Sequence, residues 1–401
     1  MPRVKLSGPE FKVVSGGLGR ITANDQGVSA LIFHGYSAPT APTAFGTAPR
    51  KIESLSAAEA LGITSAWQLS STQVTHYHIS EFYRQAPRGE LWVVFVPVGD
   101  VRTTAQLLNE LQRAAGGRIR RFGHVNSYGL DLAAGLISAL DTDADSLLNQ
   151  QRPAYSVVET NVIGALADAR RFIVKIAAQD DGVLRAISST PTGTKPAWVR
   201  NASCIGTYLG IRAGYGPNQS AGKVSTKDLT AGSYLGAAVF QQPAFTDEAL
   251  VSSLDIAALE NRKGDQVIML RTFTDYPGVY FEDDYTQALY ANLDFRKVAN
   301  IEVLQSALRR VRTAIIPFVN SEVTLTTSGS IDPTTAEEWQ AAGQSEIRSM
   351  IAAGEISGGR VTIDTESDIV TSGNINGEVQ LQLRPNAEYF TIKIGFSATI
   401  S

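Results

Sequence analysis

The sequence predicts a layered α/β fold of mixed strand direction, with extended segments at both ends of the chain, and three observations predict it. Helical and strand patterns alternate repeatedly between Ser54 and Ala177, as expected of a largely parallel sheet covered by helices. Glu90 to Val98 is an almost continuous apolar run, the pattern of a strand buried on both faces. Near the C-terminus two strands alternate strictly. Val379, Leu381 and Leu383 oppose Gln380, Gln382 and Arg384, and in the strand starting at Tyr389, Phe390, Ile392, Ile394 and Phe396 oppose Thr391, Lys393 and Gly395. Chain ends usually fray, so apolar alternation there predicts pairing into a sheet, either the chain's own or a neighbour's.

The elements follow in order. Residues 1–14 read as an arm, with Arg3, Lys5 and Ser7 alternating with Val4 and Leu6, and Ser15 to Gly19 loosens the chain. Gly19 to Phe33 reads as a hairpin around Asn24-Asp25-Gln26-Gly27. The Pro-, Thr- and Ala-rich stretch 38–49 is a loop. Helices are expected over Ser56–Gly62, Val74–Arg84, Thr103–Ala115, Ala144–Gln151, Val162–Arg170 and Ala202–Ala213. The second of these is amphipathic, with Val74, Tyr77, Ile79 and Phe82 inward. Strands are expected over Glu90–Val98, Arg118–Val125, Ala154–Glu159 and Phe172–Ala177. Tyr215 to Thr246 is irregular. Val267–Phe273 is a strand, Tyr276 to Val279 a turn and Val279–Phe281 a short strand. The last two helices run from Asp294 to Ile316, with Lys297, Arg309, Arg310 and Arg312 on a basic face, and from Asp332 to Ala353, with Asp332 as cap and Pro333 in the first turn. Trp339, Gly343, Ile347, Met350 and Ile351 form the apolar face of the latter, and the Gly358-Gly359 stretch after it reads as a sharp turn.

Composition bounds the function classes. The 401 residues allow two or three domains of about 150 residues each. A net charge of −4 gives no electrostatic reason to expect nucleic acid. The single cysteine, Cys204, excludes an internal disulfide and a cysteine-built zinc site. Leu91 to Val96, the longest apolar run, is far short of the roughly 18 residues of a membrane span. The N-terminus lacks an apolar segment of about 7 to 15 residues, so assembly in a cytoplasm is expected.

Chemical motifs are weak. Glu282, Asp283 and Asp284 are the densest carboxylate cluster but lack the spacing of a calcium loop, and read as a solvated turn or an interface rim. His76 and His78 are two apart in an expected helix and point to different faces, so they read as ordinary histidines. Neither His34 nor His124 sits in a nucleophile motif, and Ser15 to Gly19 lacks the features of a phosphate loop. No catalytic residue, cofactor or metal is implied.

Four stretches, taken in order, resemble the contractile tail sheath proteins of bacteriophages and related contractile injection systems. They are Arg3 to Gly35; His76 to Arg84 with Gly89 to Val93; Arg271 through Tyr276-Pro277-Gly278-Val279-Tyr280-Phe281-Glu282-Asp283-Asp284 to Val298; and Ala353 to Gly358 with the terminal strands. The resemblance implies sheath-type domains and a non-enzymatic structural protein. Such a protein forms stacked hexameric rings around a tail tube, contracts to drive that tube through a target envelope, and meets baseplate and tail terminator proteins. It implies a place in a virion tail or an injection-system sheath, assembled in the host cytoplasm, with no nucleic acid and no membrane insertion. Subunits of such a sheath link by donating arms to their neighbours' sheets. Carried over, the donated strands are Pro2, Arg3, Val4, Lys5 and Leu6, and Phe390, Thr391, Ile392, Lys393, Ile394, Gly395 and Phe396.

The corresponding division is an N-terminal arm over 1–18, a hairpin over 19–35, an α/β outer or middle domain over 36–265, an inner domain over 266–387 and a C-terminal arm over 388–401. Glu337, Glu338 and Arg348 are the expected tube-facing residues, with the basic face of the 294–316 helix as rival. Two other readings stay open: a non-contractile tail or baseplate protein, and a soluble α/β enzyme using the carboxylates around Asp283.

Overall fold

The computed structural model describes residues 28–36, 46–126, 134–160, 170–289 and 291–388. Its centre is a seven-stranded sheet in the order Val267–Ile268, Ile173–Ile176, Tyr155–Glu159, Ile119–Asn126, Val28–Tyr36, Leu91–Pro97 and Arg50–Ile52. All neighbours are parallel except Arg50–Ile52, which runs antiparallel along the edge. The alternation of side chains along each strand divides the packing in two. Leu31, Phe33, Leu91, Val93 and Phe95 meet the Thr75–Gln85 and Ile205–Gly214 helices on one side. Ala30, Ile32 and Val94 meet Leu107, Leu108 and Leu111 of the Thr104–Ala114 helix and Ile137, Leu140 and Leu147 of the Ala134–Asn149 helix on the other. The apolar run in 91–97 is therefore sandwiched, as its composition demands.

A second, smaller packing unit lies at the C-terminal end. Gly358–Ile363 pairs antiparallel with Gly377–Gln382, and the Pro333–Ala352 helix covers one face of this ribbon. Val303, Ala307 and Val311 of the Val298–Ile315 helix pack with Ile347, Met350, Val361 and Leu381, while Val298 and Ile301 of the same helix belong to the core of the large sheet. The alternation of Val379, Leu381 and Leu383 is accounted for, since all three contribute to this second core.

Several expectations need correction. The hairpin over 19–35 does not describe Val28–Tyr36, because both edges of that strand are occupied by parallel partners at the middle of the sheet. On the Thr75–Gln85 helix and its cap, Val74, Tyr77, Ile79 and Phe82 are buried as expected, but His76, His78 and Glu81 are buried too, leaving Ser80, Arg84 and Gln85 as its partly exposed positions. The Ala134–Asn149 helix begins well before Ala144, and a helix over Ser65–Ser71, capped by Thr64, was not expected. The turn expected at Tyr276 to Val279 falls earlier, at Thr274-Asp275, where Asp275 adopts φ 59, and Tyr276–Phe281 is a strand paired with Leu270–Phe273. Gly358-Gly359 opens a strand rather than making a turn. Val267, Ile268, Phe281, Phe295, Val298 and Ile301 belong to the core of the large sheet, and the second core begins part-way along the Val298–Ile315 helix. The expected helix over 162–170, apart from its last residue, lies outside the described residues.

Candidate assembly site

The C-terminal ribbon presents backbone hydrogen-bonding groups at its edges, and its geometry follows from its register. The Asp364 N–H donates to the Asn376 carbonyl at 2.9 Å, which makes Thr362 with Glu378 and Arg360 with Gln380 the pairs that bond each other. Gly359, Val361 and Ile363 therefore turn their N–H and C=O groups away from the ribbon, as do Gly377, Val379 and Leu381 on the other strand. The side chains of Val361, Ile363, Val379 and Leu381 pack on the helix side, which makes the covered face apolar. Gln344 on that helix reaches the outer edge of Gly358–Ile363. Its amide nitrogen donates to the Gly359 carbonyl at 3.1 Å, and its carbonyl accepts from the Val361 N–H at 2.9 Å.

The helix is well fixed for this task. Asp332 caps it by accepting from the Thr334 N–H at 2.9 Å, and Pro333 occupies its first turn. Trp339, Gly343, Ile347 and Met350 are buried; Ile351 is 37% exposed and does not complete the expected apolar face. Glu337, Glu338 and Arg348 are all exposed. Glu337 and Arg348 share a stripe of the helix but lie eleven residues apart, roughly 16 Å, so the structure does not bring them together. Three of the four residues of the rival basic face, Lys297, Arg309 and Arg312, are engaged within the subunit, while Arg310 makes an exposed bond to Ser349. Arg309 donates to the carbonyls of Gly117 (2.6 Å), Ile119 (3.2 Å) and Pro153 (3.0 Å), Arg312 bonds Gln151, and Lys297 pairs with Asp283 at 3.3 Å.

The root of the C-terminal tail is tied down. Arg384 donates to the Gly354 carbonyl at 2.6 Å. Glu388 pairs with Lys297 and accepts from the Tyr285 hydroxyl at 2.9 Å. Burial works against the Lys297 ammonium, but Asp283 and Glu388 together raise its pKa above the ordinary lysine value. The strand-donation residues Pro2 to Leu6 and Phe390 to Phe396 lie outside the described residues.

A buried ionic cluster joins the Val298–Ile315 helix to the large sheet. Glu302 lies 3.1 Å from Arg121, pairs with Arg212 and accepts from the Tyr155 hydroxyl at 2.7 Å. Arg212 also pairs with Asp284 at 2.9 Å. Burial alone would raise the Glu302 carboxyl, yet Arg121 and Arg212 hold it below the ordinary value. The Asp284 carboxyl is pushed up to about 7, burial outweighing Arg212. The 282–284 carboxylates are thus neither a solvated turn nor a rim: Glu282 pairs with Lys263 and Arg271, Asp283 with Lys297 and Asp284 with Arg212. Among the described residues no group of three or more His, Cys, Asp or Glu is arranged to hold a metal.

His76, His78 and His124 are packed in the interior, and His34 is half-buried. His78 is lowered to about 3 by burial and stays neutral, so its 3.8 Å approach to Glu159 is not an ion pair at pH 7. His76 bonds Tyr234 (2.7 Å) and Glu59 (3.1 Å). His34 and His124 stack, with ring nitrogens 2.9 Å apart. Cys204 is buried and free of any disulfide. Sequence reasoning missed the Gly358–Ile363 strand, Gln344 and the Arg212–Glu302 cluster. Only the first left a signal, the β-branched alternation of Val361 and Ile363 after two glycines.

Comparison with known families matches residues 6–285 to DUF2586, N-terminal domain, and residues 294–401 to DUF2586, C-terminal domain. Among solved structures the fold is similar to a chain of the helical sheath of the anti-feeding prophage in its contracted state. The TM-score is 0.62 at 12% identity, over 98% of this chain and 99% of that one. A chain in the six-fold symmetrised baseplate of the anti-feeding prophage gives TM-score 0.62 at 12% identity, over 98% and 100%. The sheath tail protein of Listeria innocua gives TM-score 0.52 at 11% identity, over 90% and 96%. No curated protein matches the sequence. The architecture is accordingly a mixed α/β fold of sheath type.

Proposed function

The chain belongs to the DUF2586 family and has a sheath-type fold, and from that premise we propose that it is a non-enzymatic structural subunit of a contractile tail or injection device. It polymerises as stacked hexameric rings around a tail tube and works by contraction. The observation that carries this reading is the C-terminal ribbon. It is two strands wide, apolar on its covered face and outward-facing along both edges, in a chain whose sequence holds a further alternating segment at Phe390 to Phe396. Two-stranded ribbons are marginal alone, and added strands from other subunits complete them. Backbone pairing of that kind holds a lattice together while side-chain interfaces repack.

Pro2 to Leu6 and Phe390 to Phe396 are the proposed donated strands. The tube-facing surface is the exposed side of the Pro333–Ala352 helix, through Glu337, Glu338 and Arg348. That choice is favoured because Lys297, Arg309 and Arg312 of the rival helix are already engaged within the subunit. Partners are further copies of the chain, a tube protein, and baseplate and terminator proteins; the place of action is a tail, assembled in a host cytoplasm. Electron microscopy of the purified chain tests the proposal. Long cylinders are expected, and they should be lost on deleting residues 1–14 or 389–401. Cylinders that persist without either segment refute it. The likeness to a baseplate chain keeps a second reading, a fixed ring component, whose sign would be closed single rings.

A further inference from the structure

The two edges of the C-terminal ribbon differ. Along Gly377–Gln382 no hydrogen bond from the described residues reaches the outward groups of Gly377, Val379 and Leu381, whereas along Gly358–Ile363 the Gln344 carboxamide sits where a neighbouring strand would. One side-chain amide gives the Gly359 C=O a donor and the Val361 N–H an acceptor, the two contacts that one peptide strand would supply there. Edge strands left open pair indiscriminately, and proteins blunt them with charge, proline, bulges or cover. Gly358 to Ile363 contains no proline, and Gln344 is the cover.

A strand is the better occupant of this edge than Gln344. Gly359, Val361 and Ile363 each offer an N–H and a C=O outward, and Gln344 meets one of each. The helix stripe beside this edge runs from Gln344 through Arg348 to Ile351, since residues four and seven apart share a face. Ile351, 37% exposed, would be covered by an apolar strand laid along it. The segment Phe390 to Phe396 supplies apolar side chains at alternate positions, enough to continue the helix-facing side, whereas Val4 and Leu6 of the N-terminal arm supply two. The chain reaches Glu388, held by Lys297 and Tyr285, and thirteen residues follow it (401 − 388). Fully extended they span roughly 43 Å, enough to reach another molecule.

We propose that residues 390–396 of a second copy of this chain add as a strand along Gly358–Ile363, and that Gln344 closes this edge until they displace it. The inference rests on the strand-donation reading above and assigns the edge and its gate. Gln344 makes the free subunit reluctant to pair, and an incoming strand replaces two hydrogen bonds with a longer ladder.

The test uses the full-length chain and its Q344A variant, with assembly followed by light scattering and filaments inspected by electron microscopy. The expected result is a shorter lag and a critical concentration lowered about tenfold, from losing two hydrogen bonds that assembly otherwise breaks, with filaments of unchanged helical repeat. An unchanged or raised critical concentration, or disordered aggregates in place of filaments, overturns the gate. Should Q344A not fold by circular dichroism, Q344E is used; it keeps the acceptor for Val361 but loses the donor to Gly359, and a smaller lowering in the same direction is expected. Deleting 389–401 separates the two levels. If the deletion abolishes filaments while Gln344 variants have no effect, the gate alone fails; if filaments persist without the tail, strand donation itself fails.

Discussion

Gly210 lies so close to Phe82 that a Cβ built on it would sit 2.6 Å from the Phe82 carbonyl oxygen. One turn earlier Gly206 presses still closer on the His78 carbonyl, and one turn later Gly214 approaches Gln85. The Ile205–Gly214 and Thr75–Gln85 helices therefore touch backbone to backbone. This permits both to be buried behind the sheet, and it fixes what surrounds His78, Tyr77 and Phe82.

Gly210→Ala forces these helices apart or strains them. Destabilisation of about 1–3 kcal/mol is expected, read as a lower urea midpoint with unchanged slope. Gly135 in the Ala134–Asn149 helix has nothing within 4 Å of its would-be Cβ. There the same change should be neutral or stabilise by roughly 0.4–1 kcal/mol.

Glu302→Gln leaves Arg121 and Arg212 buried without their shared counter-charge. A loss of about 3–5 kcal/mol is expected from denaturant unfolding. The folded-state carboxyl of Glu302 lies below its ordinary value, so its contribution is present at neutral pH and lost as pH falls through that lowered value. The variant should consequently show a shallower loss of stability in acid, below about pH 4.

The interior histidines give a separate pH window. Burial lowers His34 to about 4 and His78 to about 3, and burial lowers His124 further, with His34 beside it adding to the effect. The unfolded chain then binds protons that the folded chain refuses. Stability held at pH 7 falls as pH drops through 6.5 toward those lower values, by about 1.4 kcal/mol per pH unit for each group. Thermal melts between pH 7.5 and 5 check this, and His78→Gln should flatten the slope by about one group's worth. A flat profile in the parent protein would refute it.

Glu388→Gln removes the charge that pairs with Lys297 while keeping an acceptor for Tyr285. Because this pair is partly exposed, global stability should shift by less than about 1 kcal/mol. The local effect is expected in the tail beyond Glu388, where trypsin should cut after Lys393 severalfold faster than in the parent chain, the Arg384–Pro385 bond being resistant to trypsin. Equal cutting rates would show that Glu388 does not anchor the tail.

Reversing Glu337 and Glu338 to Lys alters an exposed face away from Trp339 and Ile347. The melting behaviour should stay within about 0.5 kcal/mol of the parent. Co-assembly with a tube protein, measured by pelleting, should be lost, and full retention would move the tube contact elsewhere.

Much of the large sheet is legible in the sequence because its strands are short, apolar and separated by capped helices; Thr103 with Gln106, for instance, forms a complete capping box. Val28–Tyr36 is misread because turn residues just before it favour a hairpin, whereas pairing is decided by distant strands at 91–97 and 119–126. The polar residues of the Thr75–Gln85 helix read as its outer face, yet His76 is buried against Tyr234, Glu81 against Arg84 and the remote Thr207, and His78 is buried with neither ring nitrogen hydrogen-bonded among the described residues. The ionic cluster defeats sequence reading for the same reason. Arg121, Arg212, Asp284 and Glu302 are far apart in the chain and become one unit only after folding. In the assembly site the ribbon's second strand and its helix are readable, while Gln344 is one ordinary residue whose role depends on where Gly359 and Val361 point.

A single helix, Val298–Ile315, is rooted at one end in the large core and at the other in the small one. Its 18 residues make a stiff rod of about 27 Å, and Arg309 and Glu302 bolt it to the strand that begins at Ile119. A pull on the terminal ribbon is therefore delivered to the bulk of the subunit without slack. On the proposed reading each subunit would then move as one piece, with any change of shape in the polymer taken up between molecules.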